Sequence, residues 1–252
     1  MEVHAHAHTA RKKWTHYFWE FLMLFLAVFC GFLAEYQLEH KIESDRSKQY
    51  MQSLYEDLKA DTARINYLLS YDDEKIAALN TMTNCYDTVS KNLAATDCMG
   101  LLIKYSKTNR AFQITDRTLR QLTNAGGFRL LKKADADSLL TYEALFNAYR
   151  NFESTVYQTS QDNVRNTLNE LAAFTINAPL QTSTAIGQGA DTASYKLSGP
   201  LLFSEDRRLL NKWFNELLVY RRAMIGQRST LNQLLHKATG LIEYYKAKHH
   251  FD

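Results

Sequence analysis

The sequence predicts an all-α protein, in which an N-terminal transmembrane helix continues into an antiparallel helical bundle of three long helices and one or two short ones. Its 252 residues include only two prolines and nine glycines, well below the usual shares of ~5% and ~7%. Neither residue occurs in stretches 32–99 and 128–178. Such stretches are too long to be strands, and no hairpin signal interrupts them.

The first predicted helix opens with an apolar stretch, residues 21–34, that carries no charged side chain. As a helix this stretch would reach about 21 Å, which is shorter than the ~30 Å hydrocarbon core of a bilayer. Aromatic flanks typical of membrane interfaces extend it, so we predict a span over residues 14–36. Glu20 and Glu35 then lie near the two interfaces and not at the bilayer centre, where a charge costs most.

The distribution of charge around this span predicts its orientation. Arg11, Lys12 and Lys13 precede it, whereas the segment after it mixes both signs. The positive-inside rule therefore assigns the His-containing basic tail, residues 1–13, to the cytoplasm. Residues 37–252 would form a periplasmic helical-bundle domain, and the protein would be a single-pass protein of the inner (cytoplasmic) membrane.

Three other interpretations of the apolar stretch are a cleaved signal peptide, a lipoprotein processed at Cys30, and the core helix of a soluble protein. No small-x-small cleavage site follows the stretch, and Phe29 is too large for the position before a lipoprotein cysteine. An uncleaved membrane anchor is therefore predicted.

Ala27 and Gly31 form a small-xxx-small pair, which allows two membrane helices to approach closely. Glu20 lies four residues after His16, so these ionisable groups share a helix face near one end of the span. We take Glu20, Ala27 and Gly31 as candidates for a face that binds another copy of the chain. A chance pair of small residues and interfacial anchoring by Glu20 are the alternatives.

Apolar residues at steps of three and four predict that the first helix runs on, with a polar stalk just outside the membrane, and ends near Ala94. A short helix is predicted in ITDRTLRQLTNAGG. Thr115 or Asp116 can cap its start, and Gly126 with Gly127 can end it in a left-handed conformation.

A third long helix is predicted from near Ala134, and it must end before Pro179. Residues 179–203 are rich in Gly, Ser, Thr and Ala and predict a long loop. The last helix is expected to begin at Ser204, a capping residue, with two acids in its first turn.

The sequence contains no complete catalytic or metal-binding pattern. It has no Gly-rich phosphate loop, no Gly-x-Ser-x-Gly and no Cys-x-x-Cys. His4, His6 and His8 could ligate a metal, but no acid or cysteine nearby completes that site. We therefore predict no enzyme activity, no cofactor and no metal. The net charge of +3 is spread along the chain, so no nucleic-acid footprint is predicted either.

Cys85 and Cys98 could form a disulfide if the domain lies outside the cytoplasm. The alternative is two buried thiols. In one straight helix these cysteines would be about 20 Å apart and could not bond.

Residues 19–65 and 118–146 resemble a family of uncharacterised single-span membrane proteins common in Bacteroidota. The first pattern has a Glu opening the span, a Gly within it and a Tyr-x-x-x-Leu-x-x-Asp-Leu-x-x-Asp run. These positions are Glu20, Gly31, Tyr50, Leu54, Asp57, Leu58 and Asp61, and the second pattern corresponds to Leu122, Gly126, Arg129 and Leu130. The resemblance implies an anchored, periplasm-facing bundle and assigns no catalytic residue.

These observations favour a membrane-anchored, non-enzymatic scaffold or accessory subunit of a cell-envelope complex. Its expected partners are membrane lipid and either further copies of itself or another envelope membrane protein. The alternative is a periplasmic ligand-binding sensor, with a cleft lined by Tyr142, Tyr149, Trp213 and Tyr220. An enzyme or metal protein is motivated only by the histidines and by acids that look buried.

Overall fold

The computed structural model describes residues 14–93, 105, 108–172, 202, 204–249 and 251, and all the regular elements among them are helices. The all-α prediction is therefore confirmed. In chain order the elements are α1 (Trp14–Asn84), α2 (Tyr86–Lys91), α3 (Arg117–Asn124), a 3₁₀ turn (Gly127–Leu130), α4 (Lys133–Phe152), a π-helical segment (Glu153–Tyr157), α5 (Gln158–Leu171) and α6 (Arg207–His249).

Helix α1 is 71 residues long and begins with the apolar stretch. Its most apolar 18-residue window has a mean hydropathy of 2.0, and none of that window is buried. This part of α1 is therefore long and apolar enough to cross a membrane. A core helix of a soluble domain would be covered by its neighbours, and no described part of the chain covers this one.

The remainder of α1 buries its apolar stripe against α3, α4, α5 and α6, and the buried side chains form two main clusters. The proximal cluster, closer to the apolar segment, joins α1 from Met51 onward to α3, α4 and the second half of α6. The distal cluster joins the end of α1 to α5 and the first half of α6. Burial of a large apolar side chain contributes about 1.5–3 kcal/mol, so these clusters dominate the stability of the domain.

Polar pairs record how α1 lies against α6. Asn80 contacts Arg221, Asp73 contacts Arg228, and the ring of Tyr55 packs against Phe251 at 5.3 Å. Residue numbers therefore fall along α1 as they rise along α6.

The contacts of α1 with α4, the π-helical segment and α5, which together form one continuous helix, show the opposite order of residue numbers. Tyr142 donates a hydrogen bond to Asp61, and Lys75 donates one to Tyr157. Residue numbers rise together along both helices.

Residues 108–116, named here the crossover, are not helical and lie along α1. Thr108 contacts Tyr71 and Lys75, and the backbone N–H of Thr115 donates to Asp61 over 2.8 Å. Side chains of α1 thus satisfy backbone groups that a helix would have satisfied internally.

The ends of several helices differ from the predicted ones. Helix α1 ends at Asn84 and not near Ala94, and Cys85, which is disulfide-bonded, separates it from α2. Asp206 rather than Ser204 caps α6, because its carboxylate accepts the backbone N–H of Arg208 over 2.8 Å. Gly126 adopts the predicted left-handed conformation, with φ of 63°.

Several predictions fall outside the described residues. They concern the tail with His4, His6, His8 and the basic cluster from Arg11 to Lys13, and also Cys98. Most of the predicted loop at 179–203 lies outside them too.

Candidate functional site

The apolar segment of α1 has two different faces. At about 100° per residue, Glu20, Ala27, Gly31 and Ala34 lie within roughly 60° of one another around the helix axis. All four are exposed. The three sequence-predicted oligomer candidates thus share one surface, which we name the small-residue face.

Large aromatic side chains occupy the roughly opposite side of the segment. Phe21 stacks on Phe25 with ring centroids 6.3 Å apart, and Phe25 stacks on Phe29 at 5.9 Å. This aromatic row suits contact with lipid chains, whereas the small-residue face offers lipid little surface.

Gly31 packs against no other described part of the chain. Apart from its own helical turn, no described atom lies within 4 Å of the position that a Cβ would occupy on this residue. Glycine inside a helix costs about 1 kcal/mol relative to alanine, and no close contact with the described residues requires it here. A small residue at this position leaves room for the close approach of another helix.

The small-residue face continues past the apolar segment. Leu38, which is 60% exposed, follows Gly31 two turns later on the same face, and Ile42 lies beside it with 42% exposure. At the other end of the segment, the Nε2 atom of His16 lies 3.4 Å from the Glu20 carboxylate. The face therefore combines a polar pair, small residues and exposed aliphatic side chains.

The four aromatic residues predicted to line a ligand cleft are instead buried in the core. Tyr142, Tyr149, Trp213 and Tyr220 are each at most 1% exposed. Tyr142 and Tyr149 belong to the proximal cluster, whereas Trp213 and Tyr220 belong to the distal cluster.

The hydroxyl groups of these tyrosines contact protein groups. Tyr142 donates to Asp61, Tyr149 accepts the backbone N–H of Phe112, and Tyr220 pairs with Tyr157 at 3.0 Å. The described clefts, with volumes near 380, 230 and 300 Å³, are lined by other residues.

A buried lysine lies at the junction of the two clusters. Lys75 is 0% exposed, and its Nζ donates to the carbonyl of Thr108 over 2.6 Å and to the hydroxyl of Tyr157 over 2.9 Å. The rings of Tyr71, Tyr157 and Tyr220 surround this nitrogen, with centroids at 5.8, 5.6 and 5.0 Å. We name this arrangement the Lys75 cage.

The π-helical segment helps to build the cage. It lies between α4 and α5 and ends at Tyr157. Because a π-helical turn contains one extra residue, the side chains that follow it are rotated around the helix axis. Gln161, one turn further on, donates to the same Thr108 carbonyl over 3.2 Å. Donors from α1 and α5 thus meet on one backbone oxygen of the crossover.

Asp72 precedes Lys75 by three residues and is 3% exposed. One of its carboxylate oxygens has no hydrogen-bond partner in the described part of the protein. Burial raises the pKa of Asp72 to about 7, and burial lowers the pKa of Lys75 to about 7. Desolvation beside a specific charge partner makes Asp72 and Lys75 candidates for a functional site.

Asp57 and Asp61, two acids of the first pattern of the family resemblance, are also buried and bonded to other segments. Asp57 is paired with Arg117 at 2.7 Å and with Thr118, and Asp61 accepts hydrogen bonds from Thr115 and Tyr142. The N-cap residue of α3, Asp116, makes no side-chain capping bond. Carboxylates from α1 therefore hold the crossover and the start of α3.

The second motif also contacts α1, close to the apolar segment. Ser47 donates to the carbonyl of Leu130 over 3.0 Å, and Arg129 lies 3.5 Å from Glu43. Residues of both patterns thus hold the connection formed by the crossover, α3 and the 3₁₀ turn against α1.

Comparison with protein-family models, curated proteins and solved structures found no match to this chain. Within the described ranges, no three His, Cys, Asp or Glu side chains are grouped as a metal site would need.

Asp72 and Lys75 were not predicted as site residues. Both interrupt the apolar stripe of α1, but a charged residue near a stripe is usually solvated. Their burial depends on the crossover and the π-helical segment, and neither leaves a clear signal in the sequence.

Proposed function

We propose that this protein is a membrane-anchored, non-enzymatic scaffold or accessory subunit of a cell-envelope complex, and that it self-associates through its membrane helix. The observation that carries the proposal is the two-faced apolar segment of α1. This segment is long and apolar enough to span, and no described part of the chain covers it. Its aromatic side lies roughly opposite the small-residue face.

Residues 14–36 serve as the span in this proposal, with the N-terminus in the cytoplasm and the remaining domain in the periplasm. The positive cluster from Arg11 to Lys13 supports that orientation. The disulfide at Cys85 supports an oxidising compartment for the domain.

The domain outside the membrane is proposed to be an up-down-up-down bundle. Helix α1 runs away from the membrane, the crossover and α3 return, α4 and α5 run away again, and α6 returns. The ordered pairs of α1 with α6 and with α4–α5 support these directions. In the proposed bundle, α6 is antiparallel to the other two long helices.

Two copies of α1 inserted in the same orientation are necessarily parallel. Their Ala27 and Gly31 residues would then face each other, so the backbones could approach closely. Leu38 of each copy would lose its contact with water just outside the bilayer. The imidazole of His16 and the carboxylate of Glu20 could also pair between copies.

Cysteine crosslinking in native membranes tests self-association. In a background with Cys30 replaced by serine, Ala27→Cys should give oxidised dimers, whereas Phe25→Cys on the aromatic side should not. Adding Gly31→Leu should abolish the Ala27→Cys dimers, because a large side chain separates the backbones. Equal crosslinking at both positions, or none at either, contradicts the proposed face.

A labelling experiment tests the topology separately. Ser44→Cys, in an exposed stalk position, should react with a membrane-impermeant maleimide in intact spheroplasts. Thr9→Cys should react only after the membrane is opened. The reverse pattern, or recovery of the protein in the soluble fraction, would exclude the proposed anchor.

A further inference from the structure

A polar cleft lies between α1 and the segment that joins α3 to the 3₁₀ turn, just beyond the apolar segment. We name it the stalk cleft. Its volume of about 380 Å³ falls within the usual range of small-molecule sites. Glu43, Arg46 and Gln49 line its α1 wall, and Gln121 and Arg129 line the opposite wall. Two guanidinium groups and two amides thus border the same space.

Most of these polar groups are not used by the protein itself. Among the residues that the structure describes, the side chains of Arg46, Gln49 and Gln121 make no hydrogen bond and no ion pair. Arg129 lies 3.5 Å from Glu43, farther than the about 2.7–2.9 Å of a charge-assisted hydrogen bond. The side chain of Arg129 is also 76% exposed, so its N–H groups remain available to a ligand.

The two walls are held in place by contacts on either side of the stalk cleft. Ser47 donates a hydrogen bond to the carbonyl of Leu130 over 3.0 Å, and the hydroxyl of Thr118 donates to Asp57 over 2.5 Å. These contacts fasten the 3₁₀ turn and the start of α3 to α1. The stalk cleft is therefore formed before any ligand arrives, as most small-molecule sites are.

The stalk cleft begins close to the end of the proposed span. At 1.5 Å per residue, Glu43 lies about 10 Å beyond Tyr36 along α1. Helical side chains lean toward the N-terminus of their helix, so Arg46 leans back toward the membrane. Arg46 also follows Val28 by about five full turns and lies within roughly 40° of Phe32 around the helix axis. Val28 and Phe32 are exposed, so the stalk cleft lies above a side of α1 that would contact acyl chains.

The charge of the stalk cleft selects an anion. Arg46 and Arg129 face one acid, Glu43, which leaves a net positive charge. The planar guanidinium group of arginine fits the oxygens of a phosphate group, and amide N–H groups can add hydrogen bonds to the same oxygens. We propose that the stalk cleft binds the phosphate group of a phosphate ester, and that the head group of a membrane phospholipid supplies it.

The lipid source in this proposal rests on the proposed membrane anchor, whereas the phosphate site itself does not. A phosphate ester dissolved in water offers the same chemistry to both arginines. The experiment therefore needs one arm for each source.

Calorimetric titration of the full chain in a maltoside detergent, which carries no phosphate, tests the site. One arm adds dihexanoyl phosphatidylglycerol, and the other adds glycerol 3-phosphate. The wild type should bind the lipid saturably, and Arg46→Gln should weaken that binding at least about tenfold, because a charge-assisted contact is lost. Saturable binding of glycerol 3-phosphate alone would overturn the lipid source, and no saturable binding in either arm would overturn the whole proposal.

Lys48→Gln is the matched control, because it removes the same charge from an exposed position of α1 that does not line the stalk cleft. It should leave the affinity within about twofold, since salt screens an exposed charge outside the contact. Gln121→Glu adds an acid to the opposite wall with little change of shape, and it should weaken binding as Arg46→Gln does. Equal losses from Lys48→Gln and Arg46→Gln would show attraction without a site and would overturn the proposal.

This titration fails separately from the tests of the proposed function. Binding is measured in detergent, so it requires neither a particular orientation in the membrane nor contact between two copies of α1. Saturable binding without crosslinking of Ala27→Cys would remove self-association and keep the stalk cleft. Crosslinking without binding would remove the stalk cleft and keep self-association.

Discussion

The carboxylate of Asp57 accepts two hydrogen bonds from Thr118, one from its hydroxyl at 2.5 Å and one from its backbone N–H at 3.4 Å. These residues are separated by 61 positions in the chain. Asp57 therefore caps α3 from another helix. The side chain of the local N-cap residue, Asp116, makes no capping hydrogen bond. Arg117 adds an ion pair to the same carboxylate at 2.7 Å.

Asp57→Ala should destabilise the domain by about 2–4 kcal/mol, because it leaves a buried hydroxyl and a backbone N–H without an acceptor. Urea unfolding of the detergent-solubilised protein, followed by circular dichroism, measures the change. Glu56→Ala, one residue away and exposed, should change stability by less than about 0.5 kcal/mol. Equal effects from the two substitutions would contradict a capping role for Asp57.

Lys75 predicts a stability change on the alkaline side of neutrality. Its pKa is lowered from 10.5 to about 7 by burial, so between those values the unfolded chain binds more protons at this site. Stability therefore increases as the pH rises above 7. This contribution should reach about 2 kcal/mol between pH 7 and 9.

Comparison of unfolding free energies at pH 7 and 9 tests the role of Lys75. Lys75→Met should remove the increase, whereas Lys59→Met, at an exposed position of the same helix, should retain it. If Lys75→Met keeps the wild-type difference between the two pH values, then Lys75 does not titrate in this range.

Alanine substitution at two glycines of α6 should change the stability of the protein in opposite directions. A Cβ on Gly226 would lie 2.6 Å from the ring of Phe152, whereas a Cβ on Gly240 would meet no described atom within 4 Å outside its own helical turn. Gly226→Ala should destabilise by about 1–3 kcal/mol through overpacking. Gly240→Ala should stabilise by about 0.5–1 kcal/mol through helix propensity.

Thermal unfolding of the two glycine variants beside the wild type gives the comparison directly. A melting temperature raised by Gly226→Ala would show that Phe152 can move aside without cost. It would contradict close packing of α6 against the end of α4.

The disulfide at Cys85 should join it to Cys98, because Cys30 is free. Closing a loop of this length stabilises by about 3 kcal/mol in the chain-entropy description. Peptide mapping without reductant should recover the two cysteines in one linked fragment. Alkylation of both thiols in protein purified without reductant would contradict the bond and remove one support for a periplasmic domain.

Much of the fold could be predicted from the sequence because helices are encoded locally. The apolar segment, the third helix near Lys133 and the left-handed Gly126 all follow from periodicity and glycine placement. The end of α1 could not be placed, since the apolar pattern continues through the break at Cys85 into α2.

The polar centre could not be predicted, because its members meet only through tertiary packing. Lys75 is buried because Thr108, which is distant in sequence, packs against it. The π-helical segment, which ends at Tyr157, also changes the direction in which that tyrosine projects. The sequence suggests that Tyr142, Tyr149 and Tyr220 line a ligand cleft, whereas they fill the core, and their hydroxyls bond to Asp61, to the backbone N–H of Phe112 and to Tyr157. Lys75 can be recognised as part of a polar centre only once the positions of the tyrosine hydroxyls are known.

Helix α1 carries no glycine or proline between Phe32 and its end at Asn84, so it has no hinge of the kind that usually kinks helices. From the middle of the apolar segment to Asn84 it measures roughly 90 Å, and a 10° change in tilt would displace its far end by roughly 15 Å. If the apolar segment is anchored in a membrane as proposed, a small reorientation of α1 inside the bilayer would therefore become a large displacement at its far end.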